Sequence, residues 1–168
     1  MSGVVDYDER WPAWFAAVRS ALPPGLVVEH VGSTAVPGLA AKPIIDVDVV
    51  VASVDHVAPA VAALVAAGWQ HEGDRGIPGR EAFEPRADLP PHHLYVVVRG
   101  SRPHLDHVDL RDYLRTHPSD ARRYGALKRE LAPLLSEDRE AYLAGKSDLV
   151  AELLAAARAG GGDVSRES

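Results

Sequence analysis

Apolar positions recur every three to four residues between 8 and 22, with Trp11, Trp14, Phe15 and Val18 on one side. That spacing predicts a first helix, which Pro23-Pro24-Gly25 stops. Pro12 suits the first helical turn, where a missing N–H costs no hydrogen bond. The pattern then changes period. Residues 26–31 and 44–51 are rich in β-branched side chains and read as strands. A second helix is expected from a Ser53 cap through about residue 66, with Val57, Ala60, Val61, Leu64 and Val65 on one face, ending at Gly68. A short strand begins at 69–71. Residues 73–91 are crowded with glycine and proline and read as a loop holding a short strand at 80–84, and 93–99 reads as a strand. The last third returns to helical spacing over 105–116, 119–135 and 138–159. There Tyr124, Leu127, Leu131 and Leu134, and then Tyr142, Leu149, Val150, Leu153 and Leu154, fall in register.

This order of elements predicts an α/β (α+β) domain: a small mixed sheet, helices packed on one side, and a helical C-terminal third. One domain is expected over residues 1–159, followed by a flexible tail at 160–168. The 168 residues suit a single domain, and 46% hydrophobic content suffices for a core. A net charge of -6 gives no general attraction to nucleic-acid backbones, so a small-molecule partner is expected rather than DNA or RNA. With no cysteine there is neither a disulfide framework nor a thiolate metal site. The polar, acidic first ten residues do not read as a signal peptide. No run approaches the roughly 18 apolar residues of a membrane span. The expectation is a cytoplasmic protein.

Chemistry concentrates in one segment. Gly32-Ser33-Thr34 follows the first strand, and Asp46-Val47-Asp48 lies on the second. Strand side chains alternate faces, so Asp46 and Asp48 share a face while Ile45, Val47 and Val49 take the other. Two adjacent carboxylates repel, and a divalent cation compensates this. Magnesium favours a few carboxylate oxygens together with phosphate oxygens and water. Gly32 allows close backbone approach, and Ser33, Thr34 and the amides after them can receive phosphate. Lys42, between the turn and the aspartates, is placed to balance phosphate charge. The competing reading is a plain turn and an Asp pair neutralised by Lys42 or an arginine.

These residues resemble a known family. Glu29-His30-Val31-Gly32-Ser33-Thr34, Val36-Pro37-Gly38-Leu39 and Lys42-Pro43-Ile44-Ile45-Asp46 look like the first block of the GrpB (UPF0157) family within the nucleotidyltransferase superfamily. His92-His93-Leu94 resembles its second block. Arg111-Asp112-Tyr113-Leu114, Tyr124, Lys128, Tyr142 and Lys146 resemble its C-terminal helices. The resemblance implies a nucleotidyltransferase-like fold. It also implies a metal-dependent reaction, with Mg2+ or Mn2+ and an NTP as substrate, that moves a nucleoside monophosphate to a small-molecule acceptor of unknown identity. Members of that superfamily carry a third carboxylate on a later strand, whereas residues 93–99 contain none. His93 is therefore expected to complete the site with Asp46 and Asp48, and Glu81 or Glu84 is the alternative acid. A non-catalytic nucleotide- or small-molecule-binding module, or a metal-dependent phosphate-ester hydrolase, are the competing functions.

Other groups have simpler readings. His92 suits a hydrogen-bonded strand end. His104 and His107, three residues apart, can share a helix face and ligate zinc, but with Asp106 and Asp109 they read better as a helix N-terminus. Arg80 is the preferred phosphate contact among the loop arginines, ahead of Arg75 and Arg86. Lys128 and Lys146 read as solvated helix lysines within reach of a substrate. No P-loop, dinucleotide-binding glycine motif or nucleophile elbow is present, which argues against P-loop kinases, Rossmann dehydrogenases and α/β-hydrolases.

Overall fold

The computed structural model describes residues 3–163. Five strands form one sheet: β1 (Val27–Val31), β2 (Ile45–Val51), β3 (His71–Gly73), β4 (Arg80–Phe83) and β5 (His92–Val98). Their order is β1-β2-β5-β4-β3. Only β2 and β5 run parallel, and every other pair is antiparallel. The parallel pair needs a long crossover. It is supplied by α2 (Val57–Ala66) together with β3 and β4.

Alternation along β2 and β5 divides the sheet into two unlike faces. Ile45, Val47, Val49, Leu94 and Val96 are fully or almost fully buried against α1 (Trp11–Ser20) and α2, with Trp11, Val18, Leu64 and Trp69 completing that core. The opposite face carries Asp46 and Asp48 on β2, His93 and Tyr95 beside them on β5, and Ala82 and Arg80 on β4. A face so polar cannot serve as a second oily layer. It is covered by the C-terminal helices α3 (Arg102–Thr116), α4 (Pro118–Leu131), the short α5 (Leu134–Glu137) and α6 (Arg139–Asp163). These helices have their own core of Leu114, Tyr124, Leu149 and Leu153, into which Val36 and Leu39 of the β1–β2 connection are inserted. The helices therefore lie on both sides of the sheet, because the aspartate face also needs cover.

Most boundaries agree with the apolar periodicity to within a few residues. Helix α3 starts three residues before the expected 105, because Pro103 occupies its first turn, where no N–H is required. The helix expected over 119–135 breaks after Leu131, and a separate turn of helix begins beyond Pro133. The last helix runs on through Asp163, so residues 160–163 of the expected tail are helical; the tail's remaining residues lie outside those described. Among the described residues no helix is long and apolar enough to cross a membrane.

Candidate active site

The site forms where β1 hands over to the β1–β2 connection. Gly32 has φ +77°, and a Cβ placed there would lie 2.2 Å from Asp46 Oδ2, so only glycine lets the turn pass against the carboxylate. A single turn of 3-10 helix, Ser33–Ala35, follows. Three anchors fix this turn. His30 Nε2 and Thr34 Oγ1 are hydrogen-bonded at 2.9 Å. Arg111 of α3 donates to Glu29 Oε2 and the His30 carbonyl, and Arg115 Nε donates to the Ala35 carbonyl at 2.9 Å. Burial, aided by those two arginines, lowers the His30 pKa to about 4, so this imidazole is neutral near pH 7 and serves as a fixed strut.

Asp46 is half-buried and opens onto a cleft that Ser33, Thr34, Lys42, His93, Lys128 and Lys146 also line. Burial pushes the Asp46 carboxyl above its ordinary range, with the His93 and His107 charges acting in the opposite direction. Asp48 is 0% exposed. Its Oδ2 is held by His107 Nδ1 of α3 at 2.7 Å, and its Oδ1 has no hydrogen-bond partner among the described residues. Burial alone would lower the His107 pKa, but the hydrogen bond to Asp48 and the two aspartate charges outweigh it and raise it. His107 is thus the one hydrogen-bond partner of the Asp48 carboxylate among the described residues. Removing it leaves a buried carboxylate with no donor. His107→Ala is expected to destabilise the protein by about 2 kcal/mol near pH 6, measured by urea unfolding. The raised pKa sets the sign of the pH dependence. The His107 contribution is full below the unfolded value of 6.5 and is lost as pH rises through the raised folded value, so the gap between wild type and variant narrows in alkali.

The other wall of the cleft is cationic. Lys128, on α4, is 2% exposed, and its Nζ has no hydrogen-bond acceptor among the described residues. It lies 4.6 Å from the centre of the Tyr124 ring. Burial, reinforced by Lys146, lowers its pKa to about 7. Lys146 and Lys42 flank the Tyr142 ring at 5.0 and 5.8 Å, and burial lowers both of their pKa values. Among the described residues none of these three lysines forms an ion pair. Three ammonium groups and one half-buried carboxylate make a pocket shaped for an anion.

The sequence-derived candidates separate on this frame. Gly32, Ser33, Thr34, Lys42, Asp46, Asp48 and His93 come together. His93 pairs in register with Asp46 and lines the same cleft. The Thr34 hydroxyl is committed to His30. Arg80 does not reach the cleft. It pairs with Val97, four residues beyond His93 and so roughly 13 Å along β5. Its guanidinium lies 4.4 Å over the Tyr95 ring. Glu81 points to the opposite face and bonds His71 at 2.9 Å, while Glu84 is exposed beyond the end of β4, so neither stands where a third carboxylate is needed. Arg75 and Arg86 are paired with Glu72 and Asp88. His92 is held between the Pro90 carbonyl and the Arg86 amide, as a strand-end histidine should be. His104 accepts from the Gly100 amide, and Asp106 and Asp109 bind Arg158, so among the described residues that helix face gathers no zinc-binding group. Lys128 is buried rather than solvated and lines the cleft with Lys146, while His107 gains a role, as the partner of Asp48, that the sequence did not suggest. A signal for the lysines was present: Tyr124 and Lys128, like Tyr142 and Lys146, are four apart and share the buried face of their helix.

A divalent cation fits part of this donor set. Asp46 and Asp48 share a face, and one buried Asp48 oxygen is unpartnered. Among the described residues no group of three or more His, Asp or Glu is arranged to cage a metal. The residues therefore suit one magnesium that takes its other ligands from phosphate and water, rather than a closed two-metal centre.

The mixed sheet thus packs a Gly-Ser turn against an Asp-x-Asp pair. The chain belongs to the GrpB family, whose model, described as GrpB protein, matches residues 2–156. It is 40% identical over 167 residues to a UPF0157 protein of Pseudomonas aeruginosa, covering 93% of this chain and 67% of that one. It is 32% identical over 152 residues to the UPF0157 protein YqkA of Bacillus subtilis, covering 88% of this chain and 44% of that one, so it spans less than half of that relative's length. The crystal structure of conserved protein GrpB from Enterococcus faecalis superposes with a TM-score of 0.76 at 31% identity, covering 92% of this chain and 96% of that one.

Proposed function

We propose that this chain is a metal-dependent nucleotidyltransferase that moves a nucleoside monophosphate from an NTP to a small-molecule acceptor. The observation that carries this reading is the convergence of Lys42, Lys128 and Lys146, none ion-paired among the described residues, on the cleft that holds Ser33 and Asp46. A triphosphate supplies the missing negative charge. Ser33 and the amides after Gly32 receive it on one side, and the lysines neutralise it on the other.

In this reaction an acceptor hydroxyl oxygen bonds to the α-phosphorus, the bond from that phosphorus to the bridging oxygen breaks, and pyrophosphate leaves. The hydroxyl proton passes to Asp48, whose Oδ1 is unpartnered and whose Oδ2 is held by His107. The lysines stabilise the charge that grows on the leaving pyrophosphate. Asp46 and Asp48 would hold the magnesium, which when bound neutralises the aspartates and polarises the phosphate. His93, beside Asp46, faces the phosphate from β5.

A second reading has a specific observation behind it. His93 and Tyr95 occupy the β5 positions beside Asp46 and Asp48, where a further carboxylate would complete a two-metal site. A nucleotide-binding module without turnover would have that composition. Calorimetry with ATP, GTP, CTP and UTP, with and without magnesium, tests both. Wild type is expected to bind at least one NTP with magnesium, and Asp46→Asn/Asp48→Asn is expected to weaken that binding at least tenfold. No NTP binding would refute both readings. Binding with no pyrophosphate release across an acceptor panel would favour the module.

A further inference from the structure

A second cleft flanks the aspartate pair on the side away from the lysines. Ile77, Pro78, Arg80, Arg102, Pro103 and His107 line it, together with Asp106. It touches the aspartates through His107, which binds Asp48 at 2.7 Å. The lysine cleft touches them through Asp46. Asp48 itself is enclosed, so His107 stands between it and the second cleft, while Asp46 opens directly onto the first.

The charge of the second cleft is also unsatisfied. Among the described residues Arg80 has no ion-pair partner. It rests on the Tyr95 ring, and its Nε is buried without an acceptor. The Ser101 hydroxyl is likewise buried and unpartnered, and it sits at the same junction, where a Cβ on Gly79 would meet the Ser101 side chain at 3.3 Å. Arg102 is largely exposed and only 3.8 Å from Asp106. The other oxygen of Asp106 is bound by Arg158 at 2.6 Å, so Arg102 has only a long contact to a shared carboxylate. The remaining wall is apolar, formed by Ile77, Pro78 and Pro103. A guanidinium held over an aromatic ring, a second arginine and a small apolar wall suit a compact molecule with an anionic end.

We infer that this cleft is the acceptor subsite, and that the acceptor is a small hydroxylated molecule bearing a phosphate or carboxylate. Its anion lies between Arg80 and Arg102, which points its hydroxyl toward Asp48. This assignment rests on the nucleotidyltransferase reading for its meaning, but its binding can be tested separately.

The experiment follows backbone amide chemical shifts of isotope-labelled protein by NMR. Tripolyphosphate is added first to fill the lysine cleft. Glycerol 3-phosphate, glycerate and neutral glycerol are then titrated in separate arms. Shifts at 77–80 and 102–107 are expected with one or both anions and not with glycerol, and the responding arm identifies the anionic group. Arg80→Gln is expected to weaken that binding about tenfold, and Arg102→Gln, at an exposed position with little bearing on folding, about threefold. The acceptor assignment is overturned if neither anion moves 77–80 and 102–107, if glycerol moves them equally, or if both variants bind as wild type does. Failure of tripolyphosphate to move 33–46, 128 and 146 would count against the nucleotide reading instead.

Discussion

Lys128→Met is expected to stabilise the ligand-free protein and to remove most of its affinity for polyphosphate. The two effects have one cause. Lys128 is enclosed, lacks an acceptor, and lies near two other lysines, so its ammonium form is disfavoured and its pKa falls to about 7. In the unfolded chain the same group has the ordinary value of 10.5. Between those values the unfolded state binds the extra proton, so this residue makes stability rise with pH, and its cost is greatest below pH 7. A methionine of similar length keeps the packing on Tyr124 and removes the cost. The gain is expected to be a few kcal/mol at pH 6, or roughly 5 °C in Tm, and smaller at pH 9, measured by thermal unfolding at both pH values. Tripolyphosphate affinity should move the other way. Anion binding favours the charged lysine, so wild-type affinity falls as pH rises through about 7, by up to tenfold per unit. The variant is expected to bind roughly 100-fold more weakly at pH 6 and to lose that pH dependence, as read by calorimetry. A variant that is less stable and binds normally would show that Lys128 is a structural residue.

Gly32→Ala is expected to be as damaging as a large core truncation while adding only one methyl group. At φ +77° and ψ -177° the backbone occupies a region that side-chain-bearing residues avoid. The new Cβ would also stand 2.2 Å from Asp46 Oδ2 and 3.0 Å from its Cγ. Rotating the carboxyl away relieves only part of the clash, because Asp46 Cβ, at 3.2 Å, is fixed by the pairing of β2 with strands on both sides. A loss of about 3 kcal/mol in urea unfolding is expected, together with loss of magnesium-dependent nucleotide binding. Asp46→Ala removes the two closest clashing atoms but not the φ strain. The double variant is therefore expected to recover part of the stability and none of the binding. Strict additivity between the two substitutions would show that Gly32 and Asp46 are not in the contact described.

What local order could reveal, the sequence revealed. Alternation over 44–51 placed Asp46 and Asp48 on one face and the valines on the other, because strand period is a property of the backbone. The Gly-Ser turn beside them was legible because glycine at a turn that passes against another group has a steric reason. Helical period in the last third was legible on the same grounds, and the resemblance to the GrpB family extended the reading across most of the chain. Long-range assembly was not legible. Lys42, Lys128 and Lys146 meet only because α4 and α6 dock over the polar face of the sheet. His107 reaches Asp48 across 59 positions for the same reason. Arg80 had the right chemistry for a phosphate contact but the wrong register: pairing with Val97 carries it to the far side of the aspartates. Periodicity fixes which face a side chain takes on its own element. Which charges then confront one another across a cleft depends on how the elements pack, and here the tertiary structure alone sets three lysines, without ion-pair partners among the described residues, on one side of the aspartate pair and a guanidinium on the other.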